Sequence, residues 1–238
     1  MRIDNDFIRQ NNARILSRFT FTPRAVYKHN QEEKKDDKEL LFVKEVLSDI
    51  YHRTFITSTH RAYNFKLSTE KAQKVYWRIE SEGYVEPVVL NLTGRGGQSK
   101  FFWLTEKGCL FIQKPMKQDG KGGRGSIHLF LQYYLRDFLR KRGYEVEIEK
   151  QVEGKNVDLF CMRNGKNIAV EVCISTFSTE YLNVIKDFRG SERVVLICLD
   201  SHASKKLIEE LGNLKESVEV YALNEFIKEF AENESTET

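Results

Sequence analysis

No stretch of this sequence approaches the roughly 18 consecutive apolar residues that a membrane-spanning helix requires. Its first ten residues carry Asp4 and Asp6 where a secretory signal would have an apolar centre. Cysteine is sparse: Cys109, Cys161, Cys173 and Cys198 form no CxxC pair. The histidines, His29, His52, His60, His128 and His202, do not supply the clustered spacing of a zinc site. Three of the cysteines lie in apolar stretches (LFCM, VEVCI and LICL), so the expectation is buried, reduced thiols in a cytoplasmic protein. There is no internal repeat. Hydrophobic residues make up 40% and charged residues 31%, which excludes a disordered or fibrous chain and leaves a globular one.

The 238 residues have room for one large or two small domains. The net charge of +3 is unevenly spread. Residues 1–114 hold 20 basic against 14 acidic side chains, residues 115–126 hold 3 against 1, and residues 127–238 hold 15 against 20. A basic first half facing an acidic second half points to a polyanion partner for the first. Residues 28–39 (KHNQEEKKDDKE) are almost wholly polar and read as an exposed connector or a helix start. Residues 115–126 (PMKQDGKGGRGS) place four glycines, at 120, 122, 123 and 125, within six residues, a flexible linker by composition. The expected organisation is an unassigned extension (1–37), a first domain (38–114), the linker (115–126), a second domain (127–230) and a disordered tail (231–238).

In the first domain, apolar residues at 43, 46, 47 and 50 make the stripe of an amphipathic helix over Leu40 to Tyr51. A short helix follows near Ser58 to Asn64. Ser68 or Thr69 can cap a third helix that runs to about Glu82, with Gly83 as its stop. On that helix Ala72, Val75, Tyr76 and Ile79 share one face, and Lys71, Lys74 and Arg78 share another. Two strand-like runs, Tyr84 to Leu92 and Lys100 to Leu104, flank a glycine-rich tip that carries Arg95. Three helices and a hairpin closing on LTEKG resemble the winged helix-turn-helix domains of transcription regulators. The resemblance implies DNA contact by Lys71, Lys74, Arg78, Arg95 and Lys100, since a helix in the major groove reads bases while flanking cations neutralise phosphates.

The second domain opens with a helix from Ser126, its N-cap, to Arg142. Tyr144 to Lys150 alternates as a half-exposed strand. Val157 to Met162 and Ile168 to Ile174 are apolar strands joined by a turn at Arg163-Asn164-Gly165-Lys166. A helix over Thr179 to Phe188, a doubly buried strand at 194–199, a helix at Ser204 to Leu211 and a strand at Val218 to Ala222 complete the series. This αβββαβ order, with GKNVDLF and NIAVEVC, resembles the restriction-endonuclease-like, or PD-(D/E)XK, core. Winged-helix proteins of archaeal and bacterial mobile elements are similar across both domains. The fold expected is therefore two-domain α/β.

By that resemblance Asp158 and Glu171 would be catalytic carboxylates, and Asp158, Glu171 and the Val172 carbonyl would hold Mg²⁺ or Mn²⁺. Charged groups inside apolar strands need such a partner, or each other. Two departures weigh against cleavage. Cys173 stands where the family has lysine, and Gln132 stands where archaeal Holliday-junction resolvases, which this stretch also resembles, have glutamate. Lys155, Lys166 or Lys186 would have to substitute. His128 lies one helical turn before Gln132 on the same side. The leading expectation is a DNA-binding homodimer whose nuclease-like domain is catalytically incomplete and adds affinity. The alternatives are a metal-dependent endonuclease with a displaced lysine and a protein-interaction adaptor.

Overall fold

The computed structural model describes residues 29–92, 97–116, 125–152, 154–174, 191–213 and 218–232. Outside them fall most of the extension, Arg95 at the hairpin tip, the linker residues 117–124, the helix expected over Thr179 to Phe188 with Lys186, and the last six residues of the tail. The fold is α/β. By backbone contacts the chain divides into Met1–Phe42 and Val43–Thr238. Of the first unit the described part is helical: the polar run seen in the sequence belongs to helix α1 (His29–His52), which continues into the second unit.

Within Val43–Thr238, α1 ends on the expected stripe, with Val43, Val46, Leu47 and Ile50 buried. Helix α2 (Ser58–Asn64) is capped by the Thr57 side chain. Helix α3 (Thr69–Ser81) is capped by Ser68, whose hydroxyl accepts from the Lys71 N–H. It buries Ala72, Tyr76 and Ile79. Gly83 follows with φ +72°, the left-handed conformation that ends a helix. Strands β1 (Val85–Leu90) and β2 (Ser99–Leu104) pair antiparallel, Val85 opposite Leu104 and Leu90 opposite Ser99. The short helix α4 (Glu106–Phe111) closes back on them. There Gly108 lies so close to β1 that a Cβ would sit 2.1 Å from the Tyr84 carbonyl oxygen, so only glycine fits.

Helix α5 (Ser126–Arg140) has its cap one residue earlier than the sequence suggests. Gly125 is the N-cap, Ser126 is already helical, and no side chain caps the end. A five-stranded sheet follows, in the order β3 (Glu145–Val152), β4 (Lys155–Arg163), β5 (Lys166–Cys173), β6 (Arg193–Cys198), β7 (Glu219–Ala222). The first three strands are antiparallel neighbours, and β5, β6 and β7 run parallel. The β4–β5 turn has Asn164 and Gly165 at φ +53° and +77°, two successive left-handed residues that suit the right-handed twist of a tight hairpin. Helix α6 (Ser201–Leu211) starts on an Asp200 cap. Helix α7 (Leu223–Glu232) was not anticipated. Its Leu223, Phe226 and Phe230 are buried, at the spacing of one helical face.

One face of the sheet, with α5 and α7, forms the larger core: Phe130, Leu131, Leu135, Leu139, Leu159, Val170, Val172, Ile197 and Phe226. The β1–β2 hairpin joins the same core through Val88, Leu90, Phe101 and Trp103. Phe101 and Trp103 meet Phe130 at ring-centroid distances of 5.3 and 6.1 Å. The other face packs Ala169, Cys173, Leu196 and Cys198 against Leu207 and Leu211 of α6. No helix among the described residues is long and apolar enough to cross a membrane.

Candidate functional site

Three of the sequence-selected polar residues of the second half, His128, Gln132 and Asp158, meet where β4 changes face. Residues two apart on a regular strand face the same side. On β4, Leu159 and Cys161 lie in the larger core, but Val157 lies in the other. On β3, Val146 belongs to the larger core, whereas Val152 packs on the other. The switch falls at Asp158 and the facing Glu149, whose φ of +52° is a left-handed conformation that costs a non-glycine residue about 1 kcal/mol or more. The β4–β5 register runs from Arg163 opposite Lys166 to Leu159 opposite Val170. Beyond it the Val172 N–H donates 2.9 Å to Asp158 Oδ2, so a side chain stands in for the next rung.

Asp158 is turned into the protein, with 1% of its surface exposed. Gln132 Nε2 donates 3.0 Å to Asp158 Oδ1, and His128 Nε2 lies 3.0 Å from Oδ2. Both come from α5, one turn apart, so the helix and the two strands are pinned through one carboxylate. Gln132 Oε1 and His128 Nδ1 are buried without a hydrogen-bond partner. Glu171 is 6% exposed on β5. Two residues on, Cys173 packs beside Cys198, its register partner on β6. The hydrogen bond to Cys198 comes first in raising the Cys173 thiol well above its ordinary value; burial and then the nearby charges of Cys198, Glu171 and Asp158 add to it. A neutral thiol under two carboxylates cannot supply the cation that lysine would.

The Mg²⁺ or Mn²⁺ expected from the sequence needs open hard-oxygen ligands. These residues do not fit it in this arrangement. Both Asp158 oxygens face donors from His128, Gln132 and Val172, and among the described residues no group of three His, Cys, Asp or Glu side chains is placed to hold a metal. Of the substitute lysines, Lys166 is exposed in the β4–β5 turn. The Lys155 side chain and Lys186 lie outside the described residues.

The second set of candidates lies on α3 and β2. Lys71 is exposed. Lys74 pairs with Glu70 at 2.7 Å, Arg78 with Glu82 at 2.8 Å and Lys100 with Glu80 at 2.5 Å. The Glu70 hydrogen bond raises the Lys74 ammonium, and the same bond lowers Glu70. Such exposed pairs are weak and yield to a polyanion. Sequence reasoning missed Trp77, 68% exposed between Lys74 and Arg78. A tryptophan on the polar face of an amphipathic helix is the signal for it in the sequence.

No protein-family model matches the chain, and no curated protein matches it. Among solved structures it is similar to AF1548, a protein of unknown function, at 16% identity and a TM-score of 0.32 over 45% of this chain and 67% of that one. Can2 from Sulfobacillus thermosulfidooxidans, solved in complex with cyclic tetra-adenylate, is similar at 11% identity and a TM-score of 0.36 over 86% of this chain and 53% of its own. VC1899 from Vibrio cholerae is similar at 10% and 0.34, over 83% and 52%. The chain thus spans about half the length of the last two. Likenesses at this level assign it neither a family nor an activity.

Proposed function

We propose that this chain is a DNA-binding protein. In this reading α1 to α4 with the β1–β2 hairpin act as a winged helix, and the restriction-endonuclease-like remainder has lost its catalytic set and adds affinity or dimerisation. The observation that carries it is the solvent face of α3, which presents Lys71, Lys74 and Arg78 with the exposed Trp77 at one side of them. Cations there neutralise phosphates, and an indole beside them can stack on or wedge against bases. The closed Asp158 cluster and the buried Cys173 support the non-catalytic part of the reading. A homodimer would read a symmetric site.

Duplex DNA binding, followed by fluorescence anisotropy across a salt series, tests it. The expected affinity falls steeply with salt. A Lys71→Ala/Lys74→Ala/Arg78→Ala variant should flatten the log–log slope by about 3, one for each lost phosphate contact. A variant that binds with unchanged affinity and slope would sink the winged-helix reading.

A second reading, a metal-dependent endonuclease with Mg²⁺ or Mn²⁺ on Asp158, Glu171 and the Val172 carbonyl, is favoured by one observation. Gln132 Oε1 is a buried acceptor without a partner beside the Asp158 carboxylate. Cleavage of plasmid and branched DNA with either metal, lost in an Asp158→Asn/Glu171→Gln variant, would establish it. Tight binding with no cutting by the wild type excludes it in favour of the first.

A further inference from the structure

A cleft of about 490 Å³ opens between the end of α1 and α5, lined neither by Asp158 nor by any residue of α3. Its cations come from two segments: Arg53 just past the end of α1, where His52 also lines the cleft, and Arg136 and Lys141 at the end of α5. Its floor is aromatic. The Trp103 and Tyr133 rings lie 5.9 Å apart at 45° to one another, which makes a wedge. Arg136 covers Tyr133 at 4.6 Å from the ring centroid. Two acids temper the charge: Asp137 in the wall holds Arg136 at 2.6 Å, and Asp49 pairs with Arg53. Asp49 is shared with the buried Arg61, and Lys141 is exposed without an ion pair among the described residues.

We propose that this cleft binds a nucleoside phosphate as a free small molecule. The volume lies in the range of small-ligand sites, from about 300 to 1,000 Å³. A ligand with an aromatic base at one end and an anion at the other matches a floor of rings under a cationic rim. Arginine forks suit phosphate, whose oxygens they can meet two at a time. The base enters beside Trp103 and Tyr133, and the phosphate meets Arg53, Arg136 and Lys141. This site is separate from the DNA-binding surface, and loss of duplex binding by α3 variants leaves it untouched.

The test uses the two tryptophans of the chain. In a Trp77→Phe background Trp103 is the sole indole, set in the cleft wall. Titration of the full-length protein with ATP should quench its fluorescence saturably. Adenosine in place of ATP, or Lys141→Glu on the exposed rim, should weaken binding by about tenfold, the scale of one charge-assisted contact. Arg136→Gln, checked for native circular dichroism, should do the same. An absent or unsaturable quench overturns the proposal, and so does equal binding of adenosine or by the Lys141→Glu protein. Inorganic phosphate competing as well as ATP would mean an adventitious ion only. A single-stranded oligonucleotide competing better than ATP at equal phosphate would assign the cleft to nucleic acid and overturn the free-nucleotide assignment.

Discussion

Single side chains set the sharpest constraints. Arg61 is wholly buried, ion-paired to Asp49, and donates 2.8 Å to the Arg53 carbonyl. Burial lowers its guanidinium to about 10, against a smaller opposing pull from Tyr76, so it stays charged at neutral pH. Arg61→Leu strands part of that network, and urea unfolding should show a loss of about 3 kcal/mol. Asp158 behaves as a structural pin in the same sense. Asp158→Ala leaves the Gln132 amide buried without its acceptor, at an expected cost of about 1–3 kcal/mol. A catalytic carboxylate held among like charges would show the opposite, a gain in stability on removal. The melting temperature of that one variant therefore separates a pin from an active site. The thiols make a further check: all four cysteines are buried, and burial raises Cys161 to about 12. A thiol reagent should find no reactive group in the native protein and four after denaturation.

Among the elements, β7 is held to the sheet partly by charge. Arg193 on β6 donates two hydrogen bonds to Glu219, and Tyr221 donates another at 3.0 Å. The Arg193 hydrogen bond comes first in lowering the Glu219 carboxyl below 4.5. A depressed folded value means that the stabilisation is complete above the unfolded value and is lost as pH falls through the folded one. Glu219→Gln should therefore leave stability at pH 7 lower by under about 1 kcal/mol, given the exposure of the pair, and should flatten the acid limb below pH 4.5. The elements themselves were largely legible. The α3 stripe, the 163–166 turn and the strict alternation in β3 are local signals, and each element formed where its period placed it. The helix α7 carries the same signal in Leu223, Phe226 and Phe230, but the expected series of elements stops at Ala222. The convergence of His128, Gln132 and Asp158 was legible only as a possibility. It depends on β4 turning over at Asp158, and no periodicity records a strand that changes face. The ion pairs that mask Arg78 and Lys100 were equally hidden, because the glutamates that hold them serve no motif.

For the whole molecule, the decisive fact is that the hairpin and the sheet share one core. Phe130 touches Phe101 and Trp103 on one side, and its cluster continues to Phe226 on the other. Phe130→Ala should cost about 3–5 kcal/mol. Calorimetry should show residues from both halves melting together in one transition, where independent domains would give two. Charge asymmetry and a glycine-rich stretch in the sequence suggest separable halves, but composition carries no information about which apolar faces meet.

Helix α5 gives that shared core a mechanical meaning. Phe130 and Tyr134 carry the load from Phe55 and Phe101, while His128 and Gln132, on the same rigid rod, grip Asp158. A rod clamped at one point and pushed at another acts as a lever. A tilt of the hairpin that turned the rod would reach the carboxylate through the same helix.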